Sequence, residues 1–178
     1  GVVLGGGVLT HTTTRTLSAA FDRLGYDWTA VQNSERAVPR VFLASMPHDL
    51  SQIRQAKTRK AIFFKTMLPL ILQANEEIMA DRRRLWRMHY EVSLGQTPVA
   101  NDRLWLAVMA DRYRVKRGEI AKLLDRVDVI PPSMALAQAA EESGWGTSRF
   151  AREGNAIFGQ WTFSEIGDLV PHKRDEGK

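Results

Sequence analysis

The sequence predicts a mainly helical domain, and three observations carry that prediction. Apolar residues recur at helical intervals from Asp49 onward, stop signals divide the pattern into segments, and an Ala-rich run is framed by Pro131–Pro132 and Gly144. Residues 1–48 read instead as an irregular arm rich in Thr, Gly and Pro, with a short helix hinted at over residues 18–24. Within that arm Val41–Phe42–Leu43 forms either a brief strand or an apolar staple onto the core.

From Asp49 the residues Ile53, Ala56, Phe64, Leu68, Ile71, Ile78 and Leu85 are spaced for a helix of about 3.6 residues per turn. Lys57, Lys60, Asp81 and Arg82, Arg83 and Arg84 fall between them, so the element is broadly amphipathic. Pro69 predicts a kink or break near residues 66–68, because proline removes a helical N–H and its ring crowds the preceding turn. Leu94–Gly95–Gln96–Thr97–Pro98 ends the run. A second helix is expected over residues 102–115, with Leu104, Val108 and Tyr113 inward. A third starts near Gly118, where Ile120, Leu123, Leu124 and Val127 make a core stripe. The fourth opens at Pro131–Pro132, whose missing N–H groups would be unpaired in a first turn anyway, and stops at Gly144, a C-cap residue. A short fifth element is expected over residues 147–153, capped by Thr147 or Ser148, and residues from about 156 suggest a small β-hairpin.

A chain of 178 residues fits one domain with an extended arm, split here as 1–48 and 49–178. That length closes a core without disulfides or metals. The hydrophobic fraction of 44% and charged fraction of 25% are those of a soluble globular protein, and no stretch approaches a membrane span. The net charge of +5 favours polyanionic surroundings, the acidic polymers of a bacterial envelope among them. The Arg82–Arg83–Arg84 run reads as the solvated face of the long helix, so no nucleic-acid partner is expected. Without cysteine, thiol catalysis and thiolate metal sites are excluded. His11, His48, His89 and His172 lack ligand-like pairing, so neither metal nor cofactor is expected. Gly1 to Leu9 has the look of a signal or anchor stub without a basic leader, which leaves membrane association through a missing N-terminal segment as an open expectation.

On the fourth helix Ala135, Gln138 and Glu142 share a face, while Glu141 points about 100° away. Small neighbours suggest that this face packs into the protein, which would raise the pKa of the Glu142 carboxyl by desolvation. A glutamate kept protonated near neutral pH is what general-acid cleavage of a glycosidic bond requires. The Gly144–Trp145–Gly146 turn then presents an indole, and Trp145, Phe158 and Trp161 could line a saccharide groove. Taken alone, these residues equally describe a solvated glutamate and core tryptophans.

Longer motifs decide between those readings. Ile130–Pro131–Pro132–Ser133–Met134–Ala135–Leu136–Ala137–Gln138–Ala139–Ala140, then Glu141–Glu142–Ser143–Gly144–Trp145–Gly146–Thr147–Ser148 and Gly154–Asn155–Ala156–Ile157–Phe158–Gly159, resemble the Bax-type proteins of the glucosaminidase superfamily, glycoside hydrolase family 73. Val38–Pro39–Arg40–Val41–Phe42–Leu43 and Lys60–Ala61–Ile62–Phe63–Phe64 resemble the Bax-type subgroup in particular. The resemblance implies a lysozyme-like helical lobe with a small β-lobe, here partial and beginning at about residue 156. It implies hydrolysis of the β-1,4 bond after N-acetylglucosamine in peptidoglycan glycan strands, which are then the partner, and a place in the bacterial envelope, periplasmic or exported. The family's catalytic glutamate precedes Ser-Gly-Trp-Gly and maps onto Glu142, with Gln138, Trp145, Phe158, Gln160 and Trp161 as substrate-binding positions. Gln160–Trp161 replaces the aliphatic residue and lysine common elsewhere in the family, as in the Bax-type subgroup. The second acidic position falls at Glu176, with Asp175 next to it; solvated turn residues are the other reading. A lytic transglycosylase and a non-catalytic peptidoglycan-binding or scaffold module are the competing functions.

Overall fold

The computed structural model describes residues 8–9, 12–43 and 46–146. In chain order these form β1 (Val8–Leu9), α1 (Thr14–Arg23), α2 (Trp28–Gln32), β2 (Phe42–Leu43), a single 3-10 turn (Leu50–Gln52), α3 (Ala56–Ser93), α4 (Ala100–Arg112), α5 (Ile120–Arg126) and α6 (Pro132–Ser143). The described chain is therefore mainly helical, as expected. β1 and β2 pair in parallel, Val8 opposite Phe42 and Leu9 opposite Leu43. The element expected over residues 147–153 and the hairpin, or partial β-lobe, from about 156 lie outside the described residues.

Two compact units emerge among these residues, one from residues 8–73 with 131–146, the other from Ala74–Ile130. In the first, the arm is more regular than its composition suggests. Thr13 caps α1 by accepting from the Thr16 N–H, and Asp27 caps α2 by accepting from the Ala30 N–H. Threonine, one of the residues that made the segment look irregular, is thus the residue that starts α1. α1 buries Leu17, Ala20 and Phe21, and the Asp49 carboxylate accepts from the Thr14 N–H and hydroxyl at 2.9 and 2.8 Å. Leu43 of β2, with Met46, Leu50, Ile62, Phe63, Met67, Leu68 and Ile71, completes the buried apolar set on this side of α6. Val41–Phe42–Leu43 is thus both strand and staple.

α3 runs through Pro69 without a break, contrary to one of the two outcomes expected there. Its flanking residues Met67, Leu68 and Ile71 are all buried, and that packing offsets the hydrogen bond that proline forgoes.

In the second unit Ile78, Leu85, Met88, Met109, Tyr113, Ile120, Leu123, Leu124 and Val127 are buried, which bears out the stripe expected on α5. The expected face of α4 is corrected: Tyr113 is buried, but Leu104 and Val108 are 68% and 55% exposed. The reason is electrostatic. Asp102 turns inward with Met109 and Ala110, held by Arg84 at 2.6 Å and Arg87 at 3.0 Å, and this rotates Leu104 and Val108 to the outer face. The hydrogen bonds from Arg84 and Arg87 hold the Asp102 carboxyl below its usual range despite its desolvation. Arg82 also turns inward, donating to the carbonyls of Leu124 and, at 2.8 Å, Val127, where α5 ends and its carbonyls lack helical partners. Two of the three arginines read as a solvated face are therefore structural ties.

Candidate active site

α6 is set from its first turn. Asn75 clamps the backbone of Ile130, donating to its carbonyl at 2.8 Å and accepting from its N–H at 3.2 Å. Pro131 follows, and its carbonyl accepts from the N–H groups of Met134 and Ala135 at 3.0 and 3.1 Å. Ala135, Leu136, Ala139, Ala140 and Ser143 form the buried face of α6. At about 100° per residue, Glu142 stands about 90° from the centre of that face and Glu141 almost opposite it. Only one of the two glutamates borders the packed side, as the sequence implied.

The expected packing of Glu142 itself does not hold among the described residues. Ala135 is buried, Gln138 is half-buried and Glu142 is exposed. The carboxylate is oriented instead by a neighbour one turn back: the Gln138 side-chain amide donates to Glu142 Oε1 at 3.1 Å.

Immediately after Glu142 the chain reverses through three successive left-handed residues, Gly144 (φ +56°), Trp145 (φ +60°) and Gly146 (φ +78°). The Trp145 N–H returns to the Ala140 carbonyl at 2.9 Å, a C-terminal helix closure of the Schellman kind. Buried Ser143 fastens the same turn, donating through Oγ to the Ala139 carbonyl and accepting from the Gly146 N–H at 3.0 Å. A side chain at position 146 would bring its Cβ to 3.1 Å from Met46 and Phe63 and 3.2 Å from Leu50. Glycine is thus required there twice over, by conformation and by space.

The left-handed conformation costs Trp145 about 1 kcal/mol. Its ring is braced for that cost, meeting Phe63 at 5.8 Å and 69° and Phe64 at 5.4 Å and 75°. Phe64 in turn stacks on Trp28 at 5.1 Å with the planes 14° apart. The Lys60 ammonium lies over the Trp145 ring, 4.4 Å from its centroid. Trp145 nonetheless stays half-buried rather than sealed, and Lys60 is exposed.

Gln138 and Glu142 are thus joined by a hydrogen bond on α6, and Trp145 follows three residues later in the turn, its ring against Phe63, Phe64 and Lys60. Phe158, Gln160, Trp161 and Glu176 lie outside the described residues. Sequence reasoning did not assign roles to Ser143, Lys60, Phe63, Phe64 or Trp28, although Lys60 to Phe64 stood out as a motif. The signal available was a lysine and two phenylalanines on adjoining turns of α3 in a chain that also bears a Gly-Trp-Gly turn. Among the described residues no group of three His, Asp or Glu side chains converges as metal ligands.

With this geometry in place, the family model described as mannosyl-glycoprotein endo-beta-N-acetylglucosaminidase matches residues 118–176. Protein bax of Escherichia coli (strain K12) is 42% identical over 122 residues, which is 65% of this chain and 43% of that protein. Residues 118–176 are thus similar to a glucosaminidase domain, and the chain is similar to a Bax-type protein over part of its length. The glucosaminidase match takes in α5, α6 and the Gly144–Trp145–Gly146 turn, so Gln138, Glu142 and Trp145 all fall inside it. The chain spans less than half the length of the curated relative it matches. No solved structure matches it at a significant level.

Proposed function

We propose that this glucosaminidase domain is a peptidoglycan hydrolase that cleaves the β-1,4 glycosidic bond after N-acetylglucosamine, with Glu142 as the general acid. The observation that carries the reading is the placing of Glu142. It stands exposed in the last turn of α6, its side chain hydrogen-bonded to Gln138, three residues before an indole that is braced yet partly open. A sugar ring laid on Trp145 brings a glycan strand across the end of α6, within reach of the carboxyl. The strand shields the Glu142 carboxyl from water as it binds. Glu142 donates its proton to the glycosidic oxygen as the bond to the anomeric carbon breaks, and water adds to that carbon, giving up its own proton to a carboxylate of the site. Glu176 is the proposed second carboxyl, with Asp175 as its neighbour. The substrate places the reaction in the bacterial envelope, periplasmic or exported.

The test is a digest of purified peptidoglycan by the full-length protein, with products read by mass spectrometry beside Glu142→Gln. New reducing N-acetylglucosamine ends that fall by about 100-fold or more in the variant, with binding retained, are the expected result. Anhydromuramic ends would make the domain a lytic transglycosylase. Binding without cleavage in both proteins would make it a recognition module.

A further inference from the structure

We propose that Lys60 makes the Trp145 face selective for carboxylate-bearing saccharides over neutral ones. The proposal rests on the glycan-binding reading above and names the substrate chemistry that this site prefers. In the free protein the Lys60 ammonium occupies the ring, 4.4 Å from its centroid, where the indole quadrupole attracts it. Lys60 is exposed, and no ion pair engages it among the described residues. Its own helix offers no counter-charge: its neighbours one turn away on α3 are Ala56, Lys57, Phe63 and Phe64, and the sequence from Leu50 to Asn75 contains no acidic residue. Phe63 and Phe64 also pack against the ring, meeting it at 69° and 75°.

A sugar that stacks on this ring must displace the ammonium. A neutral sugar loses the cation–π attraction and returns nothing to the charge. A sugar carrying a carboxylate at its rim offers the displaced ammonium a new partner a short swing away, with the lysine stem still anchored on α3. The same residue thus disfavours neutral rings and favours acidic ones. Because the exchange takes place at an exposed site, its expected size is a few-fold, and it fades with salt.

Titration calorimetry of three glycans tests this, in a Glu142→Gln background so that nothing is cleaved. The probes are neutral chitooligosaccharides, peptidoglycan strands stripped of peptides so that the lactyl carboxylate is free, and strands whose stem peptides carry the carboxylates. Lys60→Ala is expected to weaken a carboxylate-bearing strand about threefold to fivefold at low salt, while the neutral oligomer binds unchanged or tighter. Which of the two acidic strands responds identifies the carboxylate. Lys60→Arg keeps the preference. A parallel loss on all three glycans would mean that Lys60 only braces Trp145, and equal affinity of all three before substitution would mean that it selects nothing; either overturns the proposal and leaves the hydrolase reading standing. Failure of the unsubstituted site to bind any of the three would overturn the hydrolase reading itself.

Discussion

The turn that follows α6 and the unit from Ala74 to Ile130 are held by different forces, and each suits what its region has to do. In the turn, conformation is imposed by backbone geometry and aromatic packing: three left-handed residues, a buried serine, and phenylalanines against an indole. In the other unit, arginines do the fastening. Arg82 satisfies the carbonyls at the end of α5, Arg126 donates to the carbonyls of Tyr113 and Arg114, and Asp102 holds Arg84 and Arg87. Van der Waals packing is short-ranged and unforgiving of an added methyl group, whereas long arginine side chains adjust and are screened by water and salt. The region with the candidate site is therefore the more rigidly specified, and the region built on charge is the more sensitive to pH and ionic strength.

The sharpest way to break this contrast is Gly146→Ala. The added methyl group must be accepted at φ +78° and within 3.1–3.2 Å of Met46, Phe63 and Leu50. Left-handed strain and overpacking together cost about 3 kcal/mol, measurable by urea denaturation. The Trp145 bracing should loosen at the same time, so cleavage falls along with stability. A neutral effect would mean that the turn is not specified by packing.

Arg82→Ala is the counterpart in the charged unit, with an expected loss of about 2 kcal/mol from two carbonyls left without their donor. Its effect on cleavage should be no larger than its effect on folding. Asp102→Asn comes next. The two arginines are 37% and 50% exposed along their side chains, so water screens the trio and the loss should be smaller than for Arg82. The sign with pH is fixed by the direction of the shift. Asp102 titrates below its unfolded value, so its contribution is complete above about pH 4 and disappears as pH falls through the folded value. The thermal midpoint of Asp102→Asn should converge on that of the unsubstituted protein in acid, and a gap that persists there would count against the ion pair.

Which parts of this molecule the sequence revealed follows from the range of the forces involved. α5 and α6 were legible because their signals are local: a stripe at Ile120, Leu123, Leu124 and Val127, Pro131–Pro132 at one end and Gly144 at the other. The Glu142-to-Gly146 motif was legible from its resemblance, and its turn chemistry from its glycines. Helix α4 was misread because its orientation is fixed by Asp102 meeting arginines 18 and 15 residues away, and no periodicity of its own reports that. The exposure of Glu142 was misread for a subtler reason. A face shared with small residues does not by itself imply burial: Ala135 and Glu142 lie only about 20° apart around the helix, yet one is buried and the other exposed. The Lys60–Trp145 contact joins segments far apart in the chain, and it became visible only once folded.

Ser143→Ala carries the smallest expected effect and separates the two regions most cleanly. Removing Oγ takes away the acceptor for the Gly146 N–H, but that group keeps the Ser143 carbonyl at 3.2 Å, so it is not left bare. The stability cost should therefore be only about 1 kcal/mol. The turn, however, would lose the Ser143 side chain that ties α6 to Gly146, and faster amide exchange at Gly146 should report it. If the turn exists to hold Trp145 beside Glu142, cleavage by Ser143→Ala should fall by more than its stability does, and by more than in the costlier Arg82→Ala. Equal proportional losses in the two variants would mean that the turn serves the fold alone, because a residue that acts only through stability lowers activity no further than it lowers the folded fraction.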